Sequence, residues 1–102
     1  MTRINLDDGQ GWFNSDSAIK FSEGTWWDGH NNVSTATGDK FCHESLFRTA
    51  SGRWVLQAWS QWGGHDSYTL INDDTAVRWL LLAGEHAAAE KYGPAIVTAL
   101  EV

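Results

Sequence analysis

The hydrophobic pattern changes period once along the chain, near residue 72. Upstream, aromatic and β-branched residues fall in short alternating runs separated by turn formers, the pattern of strands. Phe41 to Ala50 is one such run and Arg53 to Ser60 the next, with Ser51-Gly52 signalling a turn between them. Gln61-Trp62-Gly63-Gly64-His65-Asp66 reads as a glycine-bearing loop, and Ser67 to Ile71 as a third strand. Downstream, Ala76, Val77, Leu80 and Leu81 recur at helical spacing. Asn72 suits an N-cap, Asp73 and Asp74 place negative charge where the helix dipole favours it, and Gly84 suits a C-terminal stop. Glu85 to Lys91 predicts a second short helix. Gly93-Pro94 breaks it, and Pro94 opens a last helix running through Glu101.

A two-residue turn at Ser51-Gly52 would set Phe47 opposite Leu56 and Thr49 opposite Trp54. One side of the hairpin then carries Phe47, Trp54, Leu56 and Ala58 and faces the helices, so that Val77, Leu80 and Leu81 cover Phe47, Leu56 and Leu70. The other side carries Glu44, Leu46, Arg48, Val55, Gln57 and Trp59, a mixed surface. A longer turn would change these pairings.

Residues 1–40 are rich in turn formers such as Asp7-Asp8-Gly9 and Asp28-Gly29-His30-Asn31-Asn32. Ala18 to Ser22 reads as a strand, with a short helical turn capped by Ser15 or Asp16 and running through Phe21 as the alternative, and Gly24 to Trp27 as strand or structured loop. The expected organisation is one domain: a turn-rich segment over 1–40, a three-stranded meander over 41–71 and helices over 73–101. Strands followed by helices predict the α+β class, with C-terminal helices on one face of a twisted antiparallel sheet of about four or five strands.

Composition narrows the function classes. A chain of 102 residues, 42% hydrophobic with seven Trp, four Phe and two Tyr, is not a disordered tail. A single Cys rules out an intrachain disulfide and a cysteine zinc cluster. No apolar run is long enough to cross a membrane, and the first residues are too short an apolar stretch for a signal peptide, so the cytoplasm is the expected compartment. The net charge is −6, spread evenly, which repels phosphate backbones and speaks against direct DNA binding. The same charge suits a basic protein surface, and it also simply keeps a small protein soluble.

The run Ser45-Leu46-Phe47-Arg48-Thr49-Ala50-Ser51-Gly52-Arg53-Trp54-Val55-Leu56, followed by Trp59-Ser60-Gln61-Trp62, resembles a group of uncharacterised small bacterial proteins sharing a pattern like "LYRT..GRWVL..WSQW". Gly11-Trp12-Phe13, Trp27-Asp28-Gly29-His30-Asn31-Asn32-Val33-Ser34 and the stretch from Ala76 to Leu82 extend the resemblance over most of residues 11–86. The group is often encoded on plasmids, phages or other mobile elements, and it supplies no catalytic residues to carry over. Some similar chains continue into a basic tail with a ribbon-helix-helix look; this sequence reaches Val102 without one, a further expectation against DNA binding.

Motifs for chemistry are sparse. His30, His43, His65 and His86 form no H-x-x-x-H pair and no HExxH, and Cys42 and His43 are adjacent, so a strand points them to opposite faces. No metal and no cofactor is expected. Cys42 with His43 or His65 could be drawn as nucleophile and base, although a lone Cys in a small domain is usually buried packing. Gly9-Gln10-Gly11 and Gly63-Gly64 lack a phosphate-loop context, and nothing places Glu44 and Asp66 at acid–base distance.

The tryptophans carry most of the functional signal. Trp12, Trp54 and Trp79 read as structural, whereas Trp26, Trp27, Trp59 and Trp62 lie on the mixed face or in loops. With His30, Arg48, Gln57 and His65 they form the candidate binding surface, a composition typical of interaction hot spots. The plainer alternative is a small second core closed by the N-terminal segment. The reading is a non-enzymatic acidic protein that binds a protein partner of unknown identity, as monomer or homodimer. With the mobile-element resemblance, it would be an inhibitor of host defence of anti-CRISPR or antirestriction type. Asp7, Asp8, Asp16, Asp28, Asp73 and Asp74 would then mask a basic surface. Two alternatives stand: a nucleic-acid-associated module using Arg48, Arg53, Trp59 and Trp62, and a small enzyme using Cys42 and His43.

Overall fold

The computed structural model describes residues 2–9, 11–27, 29–30, 32–34 and 42–102, with the Trp26 side chain outside the description. The fold is α+β. Its strands are β1 (Arg3–Asn5), β2 (Trp12–Asn14), β3 (Ile19–Ser22), β4 (Thr25–Trp27), β5 (Asn32–Ser34), β6 (Cys42–Arg48), β7 (Trp54–Ser60) and β8 (Ser67–Ile71). The helices α1 (Asp73–Leu82), α2 (His86–Tyr92) and α3 (Pro94–Leu100) follow. Strands β3-β6-β7-β8 form an antiparallel sheet in that order, while β1-β2 and β4-β5 are separate two-stranded ladders.

The helical half forms as its sequence predicts. Asn72 caps α1 by accepting the Thr75 backbone N–H on Oδ1 at 2.8 Å. Gly84, at φ +81, ends α1, and the Glu85 N–H donates back to Leu80 O at 2.8 Å. Pro94 occupies the first turn of α3, where a missing N–H costs nothing. The strand reading of residues 18–22 holds from Ile19 onward; the helical turn is a 3-10 turn over Ser15–Ser17 alone, capped by Asn14 rather than Ser15 or Asp16, and it ends before β3 instead of reaching Phe21.

The central hairpin differs from expectation by one residue. Arg48 pairs with Trp54, Phe47 with Val55 and Leu46 with Leu56. The turn is longer than Ser51-Gly52: Gly52 N–H donates to Thr49 O at 3.0 Å, and Thr49 N–H donates to Arg53 O at 2.9 Å. Thr49 Oγ1 also accepts the Arg53 N–H at 3.0 Å. Gly52 takes φ +83, the left-handed position that closes such a three-residue loop with a bulge.

Because side chains alternate along a strand, that single step turns β6 over relative to β7, while Trp54, Leu56, Val55, Gln57 and Trp59 keep the faces expected of them. Leu46, Trp54 and Leu56 face the helices and meet Val77 and Leu80, so Phe47 and Leu70 are not under α1 as expected. Trp54 is 1% exposed and meets Tyr92 edge-on at 5.4 Å. The Trp79 indole N–H donates to Glu44 Oε1 at 3.1 Å, which satisfies the buried donor.

Phe47 and Val55 instead build a second core on the opposite face, with Leu6 and Phe13 from the N-terminal ladder. Phe13 lies 5.2 Å from the Phe47 ring. Asp7 N–H donates to Tyr68 O at 3.0 Å and ties this cover to the outer strand β8. The alternative of a second core closed by the N-terminal segment therefore holds for the half of that face nearest the hairpin turn. Trp12, expected to be structural, is 50% exposed, with the Arg3 guanidinium 4.7 Å from its ring centre. Among the described residues, no helix is long and apolar enough to cross a membrane.

Candidate functional site

The half of the second face that the N-terminal ladder leaves lies where β6 begins, β7 ends and the β7–β8 loop crosses. Alternation puts His43, Ser45, Gln57 and Trp59 on this face, opposite the helices. Here the sheet is polar rather than apolar, and Ser34, Ser45 and Gln57 are buried.

Glu23 organises one side of it. Its Oε2 accepts the Ser34 hydroxyl and, at 2.8 Å, the Glu44 backbone N–H. Its Oε1 bonds His43 Nδ1, the two side chains being 9% and 14% exposed. A carboxylate there holds the proton on Nδ1 and leaves Nε2 as an acceptor for the Gln61 amide nitrogen, 3.1 Å away. The Trp59 ring lies 5.6 Å from the imidazole. A shallow depression of about 300 Å³ opens beside this group, lined by Cys42, His43, Trp59, Ser60, Gly63 and His65 among others.

Gln57 organises the other side. Its Nε2 donates to Asp66 Oδ2 at 2.8 Å and contacts the Tyr68 hydroxyl at 3.2 Å. Burial first, and then the charges of Asp66 and Asp7, push the Tyr68 phenol above its ordinary pKa.

The structure separates residues that the expected register had grouped. Gln57, Trp59 and His65 belong to this end of the sheet. Arg48 does not: it lies on the helix side, its guanidinium 4.7 Å from the Trp54 ring centre and 4.8 Å from that of Tyr92. The one-residue shift is the reason. Trp62 is 80% exposed on the β7–β8 loop, and Trp27 is 63% exposed on β4. His30 is exposed in the β4–β5 connection. Trp26 is placed by its backbone opposite Val33, and the expectation for its side chain lies outside the described residues, as do Asp28 and Phe41. Cys42 is exposed, so the buried-packing reading fails. Among the described residues, no His, Cys, Asp or Glu side chains group in a way that could hold a metal ion.

Compared with family models, curated proteins and solved structures, the chain matches none.

Four residues central to the site have no sequence signal of their own or only an indirect one. Glu23 stands twenty residues from His43, and no spacing rule connects them. Gln61 lies inside what reads as a plain loop. Asp66 and Tyr68 become legible only once the β7–β8 register sets Gln57 opposite Tyr68.

Proposed function

We propose that this is a non-enzymatic protein that acts by binding a protein partner through the end of the sheet carrying Trp59, Trp62 and the Gln57–Asp66–Tyr68 group. The observation that carries this reading is Trp62, 80% exposed on the loop that rims a polar, hydrogen-bonded platform. An indole left in water gains most from a partner that covers it, and Trp is enriched at interface hot spots. The net charge of −6 favours a partner with a basic surface. In the mobile-element setting that the sequence resemblance implies, such a protein masks the nucleic-acid-binding surface of a host-defence protein.

The test begins with capture from host lysate and identification of the bound protein. The purified partner is then titrated calorimetrically against wild type, Trp62→Ala and Trp27→Ala. Trp62→Ala should weaken binding about tenfold or more with its circular dichroism unchanged. Equal affinities for wild type and Trp62→Ala refute the reading.

A second reading draws on Cys42, exposed on the same depression as His65. In that reading the thiol is a nucleophile and His65 its base. Unchanged cellular activity of Cys42→Ala would remove it.

A further inference from the structure

We propose that the Gln57–Asp66–Tyr68 cluster receives the guanidinium group of an arginine side chain from a basic protein partner. This rests on the protein-binding reading above and names the chemistry the surface recognises.

The starting point is an unmet hydrogen bond. Gln57 is 9% exposed, and its Nε2 is engaged by Asp66 Oδ2 and the Tyr68 hydroxyl. Its Oε1 is buried and has no partner, the one such side-chain atom among the described residues. Folded proteins rarely strand a buried acceptor in this way. Turning the carboxamide over does not help, because the oxygen would then face the Asp66 carboxylate. The cluster is short of a donor.

Charge says which donor. Asp66 is exposed, and both Asp66 and Asp7 act on the Tyr68 phenol through their negative charge. A cation is favoured at this spot over a neutral group. Among the described residues Asp66 accepts a hydrogen bond from a neutral amide, and an arriving cation offers it a stronger, charge-assisted bond.

Geometry chooses between the two basic side chains. A guanidinium presents five N–H donors in one plane, enough to pair with the Asp66 carboxylate and still donate to Gln57 Oε1 beside it. An ammonium answers the charge but lacks the planar fork. Asp66 is exposed on the β7–β8 loop, so a guanidinium meets its carboxylate directly from solvent, and the Gln57 carboxamide, released from Asp66 Oδ2, is then free to turn its oxygen to the arriving donors. Trp62 is exposed on the same loop.

The experiment follows the Gln57 side-chain amide and the Tyr68 ring by nuclear magnetic resonance in the full chain. It compares a short all-arginine peptide with an all-lysine peptide of equal charge, at constant ionic strength. The arginine peptide should shift both signals saturably and bind about tenfold more tightly than the lysine peptide. Asp66→Asn, a change at an exposed residue that leaves the core intact, should weaken the arginine peptide about tenfold. Tyr68→Phe should weaken it less. Equal affinity for the two peptides, an Asp66→Asn variant that binds like wild type, or a long-lived water on the Gln57 amide that no peptide displaces would each overturn the proposal. The two readings fail separately. If Trp62→Ala abolishes partner binding and no arginine preference is seen, only the guanidinium site falls. If the arginine peptide binds as described and Trp62→Ala leaves the partner's affinity unchanged, the tryptophan surface falls instead.

Discussion

Arg48 and Trp54 are cross-strand partners beside the hairpin turn, and the guanidinium carbon sits 4.7 Å from the indole centre. Tyr92 of α2 contacts the same guanidinium at 4.8 Å, so a charged residue links sheet to helix. Arg48→Ala should lower stability by about 1 kcal/mol, the worth of a cation–π contact with part of its solvent removed. Urea denaturation with an unchanged m-value checks this. Binding to the partner should not change, because Arg48 lies across the sheet from Trp59.

Glu23 accepts bonds from Ser34, His43 and the Glu44 backbone at once. Glu23→Ala strands all three partners in a largely buried place and should cost about 2–3 kcal/mol. Glu23→Gln keeps the shape but offers a single acceptor oxygen, so its loss should fall between wild type and alanine. Hydrogen exchange at the Glu44 amide should quicken in the same order.

The Tyr68 phenol is raised above its ordinary value of 10.0 by burial and by Asp66 and Asp7. A raised pKa means the folded chain keeps its proton after the unfolded chain has lost it. The contribution is therefore fully present below the unfolded value and is lost as pH climbs above it through the folded one. Asp66→Asn should bring the Tyr68 midpoint down toward, but not onto, the ordinary value, since burial persists. Titration of the Tyr68 ring carbons reads this directly.

Gly93 sits where α2 meets α3, against the fully buried Val77 of α1. A Cβ placed there would lie 2.5 Å from Val77 Cγ2, too close for any real contact. Its φ of −151° is open to every residue, so the demand for glycine is purely steric. Gly93→Ala should cost about 1–3 kcal/mol, seen as a lower melting temperature, with the sheet's amide signals largely unmoved.

Much of this architecture is legible in the residue order, and the exceptions are instructive. Asn72, Gly84 and Pro94 mark helix ends by local chemistry, and each acts as its type predicts. Strands β1, β2 and β5 escape notice, and β4 reads only as strand or loop, because three residues are too few for a periodic signal. The hairpin register fails for a subtler reason. Ser51-Gly52 does mark the turn, but Thr49 extends it by closing backbone and side-chain bonds to Arg53. In the site, Trp59, Gln57 and His65 follow from strand alternation and loop position. Glu23 does not, because a long-range hydrogen bond leaves no trace in local sequence.

The connection between β6 and β7 also constrains how this protein can change. Ala50 and Ser51 are exposed, so many residues can replace them. Their number is another matter. Deleting one would slip β6 against β7 by a step, so that with Trp54 and Leu56 kept beneath the helices Phe47 would join them and Leu46 would turn to the opposite face. Both hydrophobic interiors would be presented with the wrong partners by the loss of a single surface amino acid, so Ala50 and Ser51 should tolerate substitution freely and indels hardly at all.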